Sequence, residues 1–340
     1  MHLEKSEFPS LAAAVVRGSN IVAAGVTGVR KIGADEKVTL NDKFHIGSCT
    51  KSMTALLAVY LEQEGKIRLT NRVGDVLKDW TIPDESRDIT LDLLLQNRSG
   101  LSTQAEPKLW GRAFADSGSP AAQRRRFLEG TLGEGLEAKP GTKYIYSNQG
   151  YSLAGAMLET AAGNSWEKLI EQKVFRPLDL KTGGFGPPST SGEVDQPWGH
   201  IWKSGKADAV PPSDNPTAIA PAGAVHLSII DAAKYAAFHL QVAQGKVPAL
   251  KDYVDDLYSP PDKGEYAFGW GVSKRGWAKG KVLNHAGSNT MFFIVIWIAP
   301  EIDWACVVAT NVADRRNEVA GGCDAVVAGL IAKYVQKNSK

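Results

Sequence analysis

The hydrophobic and polar positions change their period along the chain, and these changes mark the expected secondary structure. Residues 11–17 and 21–29 are two β-prone runs separated by a Gly-Ser-Asn turn signal, which predicts an antiparallel hairpin. Apolar positions at helical spacing then follow Ser48, and Gly65 predicts the end of this long helix.

The middle of the chain has mainly helical patterns joined by long connections. Helices are predicted over residues 90–96, 150–162 and 165–175, and a further helix at about 228–244. Residues 183–221 contain many Gly, Pro and Ser residues, which predicts a long excursion over the surface.

The C-terminal part changes to β patterns. Strands are predicted over residues 266–273, 281–285, 291–299 and 304–311, before a last helix at about 316–335. Because strands bracket both ends of the chain and helices fill the middle, the sequence predicts an α+β fold. In this fold one antiparallel sheet is made from both termini, is flanked by helices, and carries an inserted, mainly helical domain.

The same pattern divides the chain into two domains. Residues 1–68 plus 226–340 are assigned to the sheet domain, and residues 69–225 to the inserted helical domain. We expect the active site at their junction. A chain of 340 residues is long enough for one large or two ordinary domains.

Composition and charge exclude several classes of protein. Hydrophobic residues make up 43% of the chain and charged residues 22%, which is typical of a soluble globular protein. The net charge of +2 gives no reason to expect a nucleic-acid partner. The one basic run, Arg124-Arg125-Arg126, predicts a solvated helix face. The longest apolar run, residues 291–299, is too short to span a bilayer.

The first residues and the cysteines leave the compartment open. The first residues are polar and do not resemble a signal peptide. A cytoplasmic protein fits this pattern, and so does a periplasmic or secreted protein whose leader was removed. Cys49, Cys306 and Cys323 form neither a metal-ligand spacing nor a disulfide framework, and we expect no metal or cofactor. The sequence does not predict the oligomeric state.

A Ser-x-x-Lys pattern opens the first long helix. Lys51 lies three residues after Ser48, so both share one helix face and the amine can reach the hydroxyl. A serine hydroxyl becomes a good nucleophile only when a base takes its proton, and a lysine whose pKa is lowered by burial can do so. The helix N-terminus favours negative charge on Ser48, whose backbone N–H can also help to hold an oxyanion.

The spacing alone is not specific, because Ser165 and Lys168 repeat it at another helix start. There, an N-cap serine and a solvated lysine are the simpler interpretation. Ser48 differs because β-prone residues 44–47 precede it and small or apolar residues follow it, which predicts a buried junction of strand and helix. Cys49 is the rival nucleophile, and we interpret it as a small buried residue.

Two further groups of residues carry possible chemistry. Tyr146 and Asn148 follow a Pro-Gly turn, and in an extended segment side chains two residues apart point the same way. A phenol beside a carboxamide combines proton transfer with amide recognition. The alternative is a core tyrosine followed by an asparagine that starts a helix. His285 ends a predicted strand, where small residues including Gly287 would let a substrate lie along the strand edge.

These motifs, in this order, resemble those of the serine β-lactamase and penicillin-binding-protein superfamily. The specific likeness is to the class C-like branch, which includes D,D-peptidases, D-aminopeptidases and family VIII carboxylesterases. The likeness covers residues 8–335, and no Gly-x-Ser-x-Gly, His-Glu-x-x-His or P-loop motif competes with it. The matching segments are Ser48-Cys49-Thr50-Lys51, residues 93–101, Pro140-Gly141, Tyr146-Ser147-Asn148, residues 175–178, residues 221–223 and His285-Ala286-Gly287.

The resemblance implies a β-lactamase/transpeptidase-like fold and a role for each matched residue. Ser48 is implied as the acylated nucleophile, while Lys51 and Tyr146 share the duties of general base and general acid. Asn148 would hold a substrate amide or carbonyl, and His285 stands where many relatives carry Lys. The other implied substrate-binding residues are Gly287, Gln104 and Ser288, whose backbone N–H would join that of Ser48 in an oxyanion hole.

Two departures from the family pattern bear on the expected function. Asn97-Arg98 replaces the usual His-Thr, which affects local loop structure more than chemistry. His285 in place of Lys leaves less fixed positive charge at neutral pH, which favours an esterase or D-peptidase over a β-lactamase.

We therefore expect a serine hydrolase that acts on small-molecule or peptide substrates through an acyl-enzyme. Its substrates would be carboxylesters, D-amino-acid peptides or β-lactams. The alternative is a penicillin-binding or peptidoglycan-sensing module that acylates with little turnover. A non-catalytic scaffold is a third hypothesis.

Overall fold

The computed structural model describes residues 8–261, 264–314 and 318–336. The strands in these ranges are β1 (Ser10–Arg17), β2 (Asn20–Gly28), β3 (Lys43–His45), β4 (Gly184–Phe185), β5 (His200–Lys203), β6 (Lys206–Ala209), β7 (Val225–Ser228), β8 (Gly271–Arg275), β9 (Gly280–Ser288), β10 (Phe293–Ala299), β11 (Trp304–Thr310) and β12 (Val312–Ala313).

Helices fill the described middle of the chain and flank the strands at both ends. They are α1 (Thr50–Gln63), α2 (Val73–Val76), α3 (Asp84–Arg87), α4 (Leu91–Leu95), α5 (Pro107–Ala115), α6 (Pro120–Gly133), α7 (Asn148–Ala162), α8 (Trp166–Ile170), α9 (Ala220–Gly223), α10 (Ile229–Ala243), α11 (Val254–Tyr258) and α12 (Glu318–Ile331).

The main sheet is built from both ends of the chain. Its six strands lie in the order β2-β1-β11-β10-β9-β8, and each neighbouring pair is antiparallel. The N-terminal hairpin thus joins the C-terminal meander where β1 pairs with β11. This arrangement confirms the predicted α+β class, the hairpin and the helical insert.

The run of apolar residues in β1 follows from its place inside the sheet. Ala12, Ala14 and Val16 face the larger core, which contains α1 and α10. Leu11 and Val15 on the opposite face pack in a second core with the last helix, α12. Because a strand covered on both faces needs apolar side chains at every position, this segment shows no polar alternation.

Several predicted boundaries were wrong where the backbone turns. Residues 266–270 precede β8 instead of belonging to it, because Gly269 has φ +78° and passes close against the Ser52 backbone. The long helix predicted from Ser48 starts with a 3₁₀ turn, Gly47–Cys49, before α1 begins. The last helix begins at Glu318 within the described residues, and the start predicted at 316 lies outside them.

Residues 183–221 are more ordered than the predicted surface excursion. They contain β4, β5 and β6, and β5 pairs in parallel with β12. His200 of β5 is fully buried, and one of its ring nitrogens lies 2.8 Å from the Asn311 carbonyl oxygen. Glycine and proline therefore mark turns here, and the polar residues between them make buried contacts.

The prediction of a solvated basic face on α6 was wrong for its first arginine. Arg124 is fully buried, and its guanidinium pairs with Glu159 at 2.7 Å and with Glu167 at 2.8 Å. Arg126 is exposed and pairs with Asp116 at the surface. Sequence composition cannot distinguish these arginines, because the carboxylates that neutralise Arg124 come from later helices.

A helix that could cross a membrane does not occur in the described ranges.

Arg124→Met should lower the free energy of unfolding by about 3–5 kcal/mol, because it leaves two half-buried carboxylates without their cation. Arg126→Met is the matched control on the same helix, and we expect it to leave stability nearly unchanged, because an exposed ion pair contributes little. Urea unfolding of both variants measures the difference. Equal stability of the two variants would contradict a buried ion-pair network at Arg124.

Candidate active site

The backbone around Ser48 passes unusually close to β9. Gly47 has φ +47°, and a Cβ added to it would lie 2.3 Å from the Ser288 nitrogen. A Cβ added to Gly287 would lie 2.0 Å from the Ile46 carbonyl oxygen. Only glycine can occupy both positions without a backbone shift. The turn that carries Ser48 is therefore fitted directly against the end of β9.

Lys51 places a buried amine beside the Ser48 hydroxyl. Its side chain is fully buried on the first turn of α1, and Nζ lies 3.1 Å from Ser48 Oγ. Nζ also donates to Asn148 Oδ1 at 2.7 Å and to the Ala222 carbonyl oxygen at 2.9 Å. Burial lowers the pKa of Lys51 to about 7, so a substantial fraction of the amine is neutral at neutral pH.

The partners of Lys51 suit a neutral amine. The Asn148 and Ala222 oxygens can only accept, so they use two N–H bonds. A neutral amine has two N–H bonds and one lone pair, and the remaining partner, Ser48, can donate its hydroxyl proton to that lone pair. All three contacts can therefore be satisfied without a charge on Lys51.

Tyr146 and Asn148 reach the same place from two different backbone conformations. Tyr146 precedes the helix, whereas Asn148 is the first residue of α7 and Ser147 is its N-cap, accepting from the Gly150 N–H. Asn148 therefore does start a helix, as the alternative interpretation predicts. Its side chain nevertheless contacts Lys51. Tyr146 and Asn148 therefore do not lie on one continuous extended segment, and that prediction was wrong.

The Tyr146 phenol lies beside both reactive groups. Lys51 Nζ is 4.6 Å from the centroid of the Tyr146 ring. Burial raises the pKa of Tyr146 well above its ordinary value, while a hydrogen bond with Ser48 acts in the opposite direction. The phenol is therefore protonated at neutral pH, and it can act as a donor in the free protein.

Asn97-Arg98 holds the Tyr146 segment in place. Asn97 adopts a left-handed conformation with φ +56°, which asparagine tolerates better than most residues. Its carbonyl accepts from the Ile145 N–H at 2.8 Å, and its Oδ1 accepts from the Ser147 N–H at 3.0 Å. This departure from the usual His-Thr pattern thus fixes the backbone on both sides of Tyr146.

His285 lies in the site as a buried imidazole. Its Nδ1 is 2.6 Å from the Ala286 carbonyl oxygen, and its Nε2 is 3.4 Å from the Tyr266 hydroxyl. Burial, and then the nearby Lys51 charge, lower the pKa of His285 to about 4. The ring is neutral at neutral pH and adds no fixed positive charge.

Cys49 and Ser165, the alternatives to Ser48, have the structural roles that their local sequences predict. Cys49 is fully buried and donates to the His285 carbonyl oxygen at 3.5 Å, and burial raises the pKa of its thiol. Ser165 is the N-cap of α8 and accepts from the Lys168 N–H at 3.3 Å. The Lys168 side chain is exposed. The two Ser-x-x-Lys patterns therefore differ in burial and not in spacing.

Gln104 does not join this group. It is exposed, and its own carbonyl oxygen accepts from Ser102 Oγ at 2.7 Å. The structure shows no hydrogen bond between its side chain and the other described site residues. The nearest link is through Ser102, whose carbonyl oxygen accepts from Ser147 Oγ at 2.8 Å.

The sequence did not predict a buried polar group next to the site, which consists of His45, Asp214 and Asn289. His45 and Asp214 form a pair at 2.9 Å next to the Ser48 turn, and Asp214 also accepts from Asn289 Nδ2 at 3.2 Å. Asp214 lies within the segment that had been predicted as a surface excursion. The one available signal was a histidine placed between apolar residues of a strand. Among the described residues, no three His, Cys, Asp or Glu side chains are grouped so that they could hold a metal ion.

Comparisons with known proteins agree with this geometry. A family model described as Beta-lactamase matches residues 2–325. Penicillin-binding protein 4 of Amycolatopsis lactamdurans is 28% identical over 218 residues, covering 63% of this chain and 55% of that protein. Protein flp of Staphylococcus aureus strain MRSA252 is 22% identical over 317 residues, covering 91% of this chain and 60% of that protein. The chain thus spans somewhat more than half the length of these curated relatives.

Two solved structures share the fold. The octameric penicillin-binding protein homologue from Pyrococcus abyssi has a TM-score of 0.74 and 24% identity, covering 91% of this chain and 71% of that chain. SurE with D-Leu has a TM-score of 0.75 and 21% identity, covering 98% of this chain and 73% of that chain. These likenesses confirm the predicted β-lactamase-like fold.

Gly287→Ala should slow any chemistry at Ser48 by about 100-fold, because the new methyl group forces β9 away from the turn at residues 46–48 by roughly 1 Å. Gly276→Ala is the matched control, since an added Cβ there meets nothing within 4 Å. Acylation rates and unfolding midpoints are measured for both. Wild-type acylation in Gly287→Ala would show that the close approach is not needed.

Proposed function

Because the chain belongs to the beta-lactamase family, whose members are serine hydrolases, we propose that it hydrolyses ester or amide bonds through an acyl-enzyme on Ser48. The observation that carries this proposal is the buried Lys51 amine, 3.1 Å from the Ser48 hydroxyl and with a pKa lowered to about 7. We also propose that the site lies where the sheet domain, residues 1–68 plus 226–340, meets the inserted domain, residues 69–225.

In the proposed acylation, Ser48 Oγ attacks the substrate carbonyl carbon while its proton moves to neutral Lys51. The carbonyl π-electrons move onto oxygen, and the backbone N–H groups of Ser48 and Ser288 stabilise the resulting oxyanion. When the tetrahedral intermediate collapses, Tyr146 gives its phenolic proton to the leaving group and regains one from Lys51. The protons balance, and the enzyme carries an ester at Ser48.

In deacylation, the same groups act on water. The Lys51/Tyr146 pair accepts a proton as water attacks the ester carbonyl, and that proton returns to Ser48 Oγ as the ester breaks. Asn148, which already contacts Lys51, would keep the amine in place and present its Nδ2 to a substrate carbonyl. His285, Gly287 and Ser288 would line the substrate along β9.

The state of His285 bears on the substrate class. A neutral, buried imidazole offers no full positive charge to a substrate carboxylate such as the one that penicillins carry. This favours carboxylesters, and D-amino-acid peptides cleaved away from their terminal carboxylate, over β-lactams. The likeness to SurE, which was solved with D-Leu, also supports a D-amino-acid substrate. Gln104 is kept in this proposal as a substrate contact that is exposed and lies outside the hydrogen-bonded group.

The second candidate is a penicillin-binding module that acylates with little turnover. It is supported by the names of the relatives, which include a penicillin-binding protein and a homologue of one. It shares the acylation step and differs in deacylation. A product burst equal to the enzyme concentration, with no following steady state, would favour it.

Ser48→Ala should abolish hydrolysis of p-nitrophenyl esters and D-amino-acid p-nitroanilides, leaving less than about one part in 10⁴ of the rate, because it removes the nucleophile. Ser165→Ala provides the matched control with identical sequence spacing. It should keep the full rate while losing about 1 kcal/mol of stability, because it removes a helix cap. Turnover surviving in Ser48→Ala would overturn the assignment of the nucleophile.

The pH dependence of kcat/KM should follow the free amine of Lys51. Burial holds its pKa near 7, and only the deprotonated amine can accept the Ser48 proton, so kcat/KM should rise through about pH 7 and level off above it. Initial rates between about pH 5 and 9 measure the profile. A flat profile, or a rate that falls as pH rises through 7, would contradict Lys51 as the base.

A further inference from the structure

His45 connects the turn that carries Ser48 to the carboxylate of Asp214. It is fully buried at the end of β3, and its Nδ1 lies 3.1 Å from the Gly47 nitrogen. The Gly47 N–H must donate to that nitrogen, so Nδ1 carries no proton. The ring proton is therefore on Nε2, which lies 2.9 Å from Asp214 Oδ2 and donates to it. The Gly47 amide thus fixes the tautomer that Asp214 requires.

The second oxygen of Asp214 reaches the other side of the site. Oδ1 accepts from Asn289 Nδ2 at 3.2 Å. Asn289 is buried and directly follows Ser288, and its Oδ1 accepts from the N–H groups of Met291 and Phe292 at 3.3 and 3.0 Å. Asp214 therefore links the turn before Ser48 to the turn after Ser288 through one carboxylate.

The two backbone segments that this carboxylate links belong to different sheets. β3 lies in the small sheet β3-β7-β4, and β9 lies in the six-stranded sheet. No β-ladder between the described strands therefore sets the distance or angle between the Ser48 and Ser288 amides. The two segments nevertheless pack closely, because a Cβ added to Gly47 would lie 2.3 Å from the Ser288 nitrogen. A small shift of either segment would therefore change the relative position of the two amides.

We propose that Asp214 is a positioning residue that aims the backbone N–H groups of Ser48 and Ser288 at one point, acting through His45 and Asn289. The inference rests on the proposed acyl transfer at Ser48. Asp214 does not touch the substrate in this account. It holds two amide donors in the geometry that stabilises the oxyanion, which is a demand of the transition state and not of the bound substrate.

This role differs from simple support of the fold. A carboxylate that only stabilised the loop would affect unfolding, and it would leave the ratio of transition-state to substrate binding unchanged. A carboxylate that aims the amides would affect the acylation rate and the affinity for a tetrahedral adduct. A boronic acid supplies such an adduct, because Ser48 Oγ adds to boron while its proton passes to Lys51, which gives a tetrahedral anion that occupies the same donors.

The experiment compares Asp214→Ala with Asp208→Ala, an exposed aspartate on β6 in the same region of the chain. We measure the p-nitrophenyl acetate acylation rate from the product burst, the substrate dissociation constant from the concentration dependence of that burst, the phenylboronic acid affinity and the unfolding midpoint of each. Asp214→Ala should lower the acylation rate and the boronic acid affinity by about 10- to 100-fold, less than the loss of a whole donor. The substrate dissociation constant should change by less than about threefold, and Asp208→Ala should match the wild type in every measurement.

A double variant that exchanges the side chains of Asp214 and Asn289 provides a second test if Asp214→Ala unfolds. In the double variant Asp214→Asn with Asn289→Asp, the carboxamide introduced at position 214 can accept from His45 and donate to the carboxylate introduced at position 289. The Asn215 N–H, which donates to Asp214 Oδ1 at 2.8 Å in the wild type, loses that acceptor in both the single and the double variant, so the comparison between them is unaffected. This double variant should acylate faster than Asp214→Asn alone, which sets two amide donors against each other. Proton NMR should show the hydrogen-bonded Nε2–H of His45 in the wild type.

The possible outcomes separate this inference from the proposed function. If Ser48→Ala is inactive while Asp214→Ala acylates at the wild-type rate, the positioning role is wrong and the nucleophile stands. Equal fold-losses in acylation rate and in substrate affinity, with no recovery in the double variant, would also overturn it. If Ser48→Ala stays active, the proposed function itself fails.

Discussion

The site depends on the burial of one lysine amine that meets no carboxylate among the described residues. The hydrogen-bond partners of Lys51 are a serine hydroxyl, a carboxamide oxygen and a backbone carbonyl oxygen. A carboxylate neighbour would favour the ammonium form and remove the base. Burial acts without such compensation, so the amine can be neutral where most lysines are charged. Burial removes the solvation of a charged amine, and in the proposed mechanism the neutral amine accepts the Ser48 proton.

That amine is useful only because three backbone segments meet around it. The turn before α1, the start of α7 and the end of β9 come from distant parts of the chain. Two glycines allow the first and third to touch, and Asn97 fixes the segment that carries Tyr146. The larger core packs beneath them, including nearly all of α1. Such a dense surround explains how a small number of polar atoms can be held at hydrogen-bonding distance.

The sequence predicted the features that depend on short-range patterns. The hairpin, the last strands and the helices follow from apolar periodicity, and the residues Ser48, Lys51, Tyr146 and Asn148 follow from motif order. The structure brings these four together, while their catalytic roles stay a proposal. Spacing could not separate Ser48 from Ser165, because the difference is the burial of Lys51 against the exposure of Lys168, which the whole fold determines. Long-range partners were also missed. Asp214 meets His45 across 169 positions of sequence, and Arg124 is buried by carboxylates from two later helices.

Covalent labelling can show whether a neutral Lys51 activates Ser48. A fluorophosphonate reacts with an activated serine whatever the natural substrate, with release of fluoride. The measurement is the rate of adduct formation by intact mass between about pH 5 and 9, with the labelled peptide identified by fragmentation. We expect one adduct per chain, located on Ser48, forming faster as pH rises through about 7. An adduct on another residue, or a rate on Ser48 that does not change with pH, would contradict it.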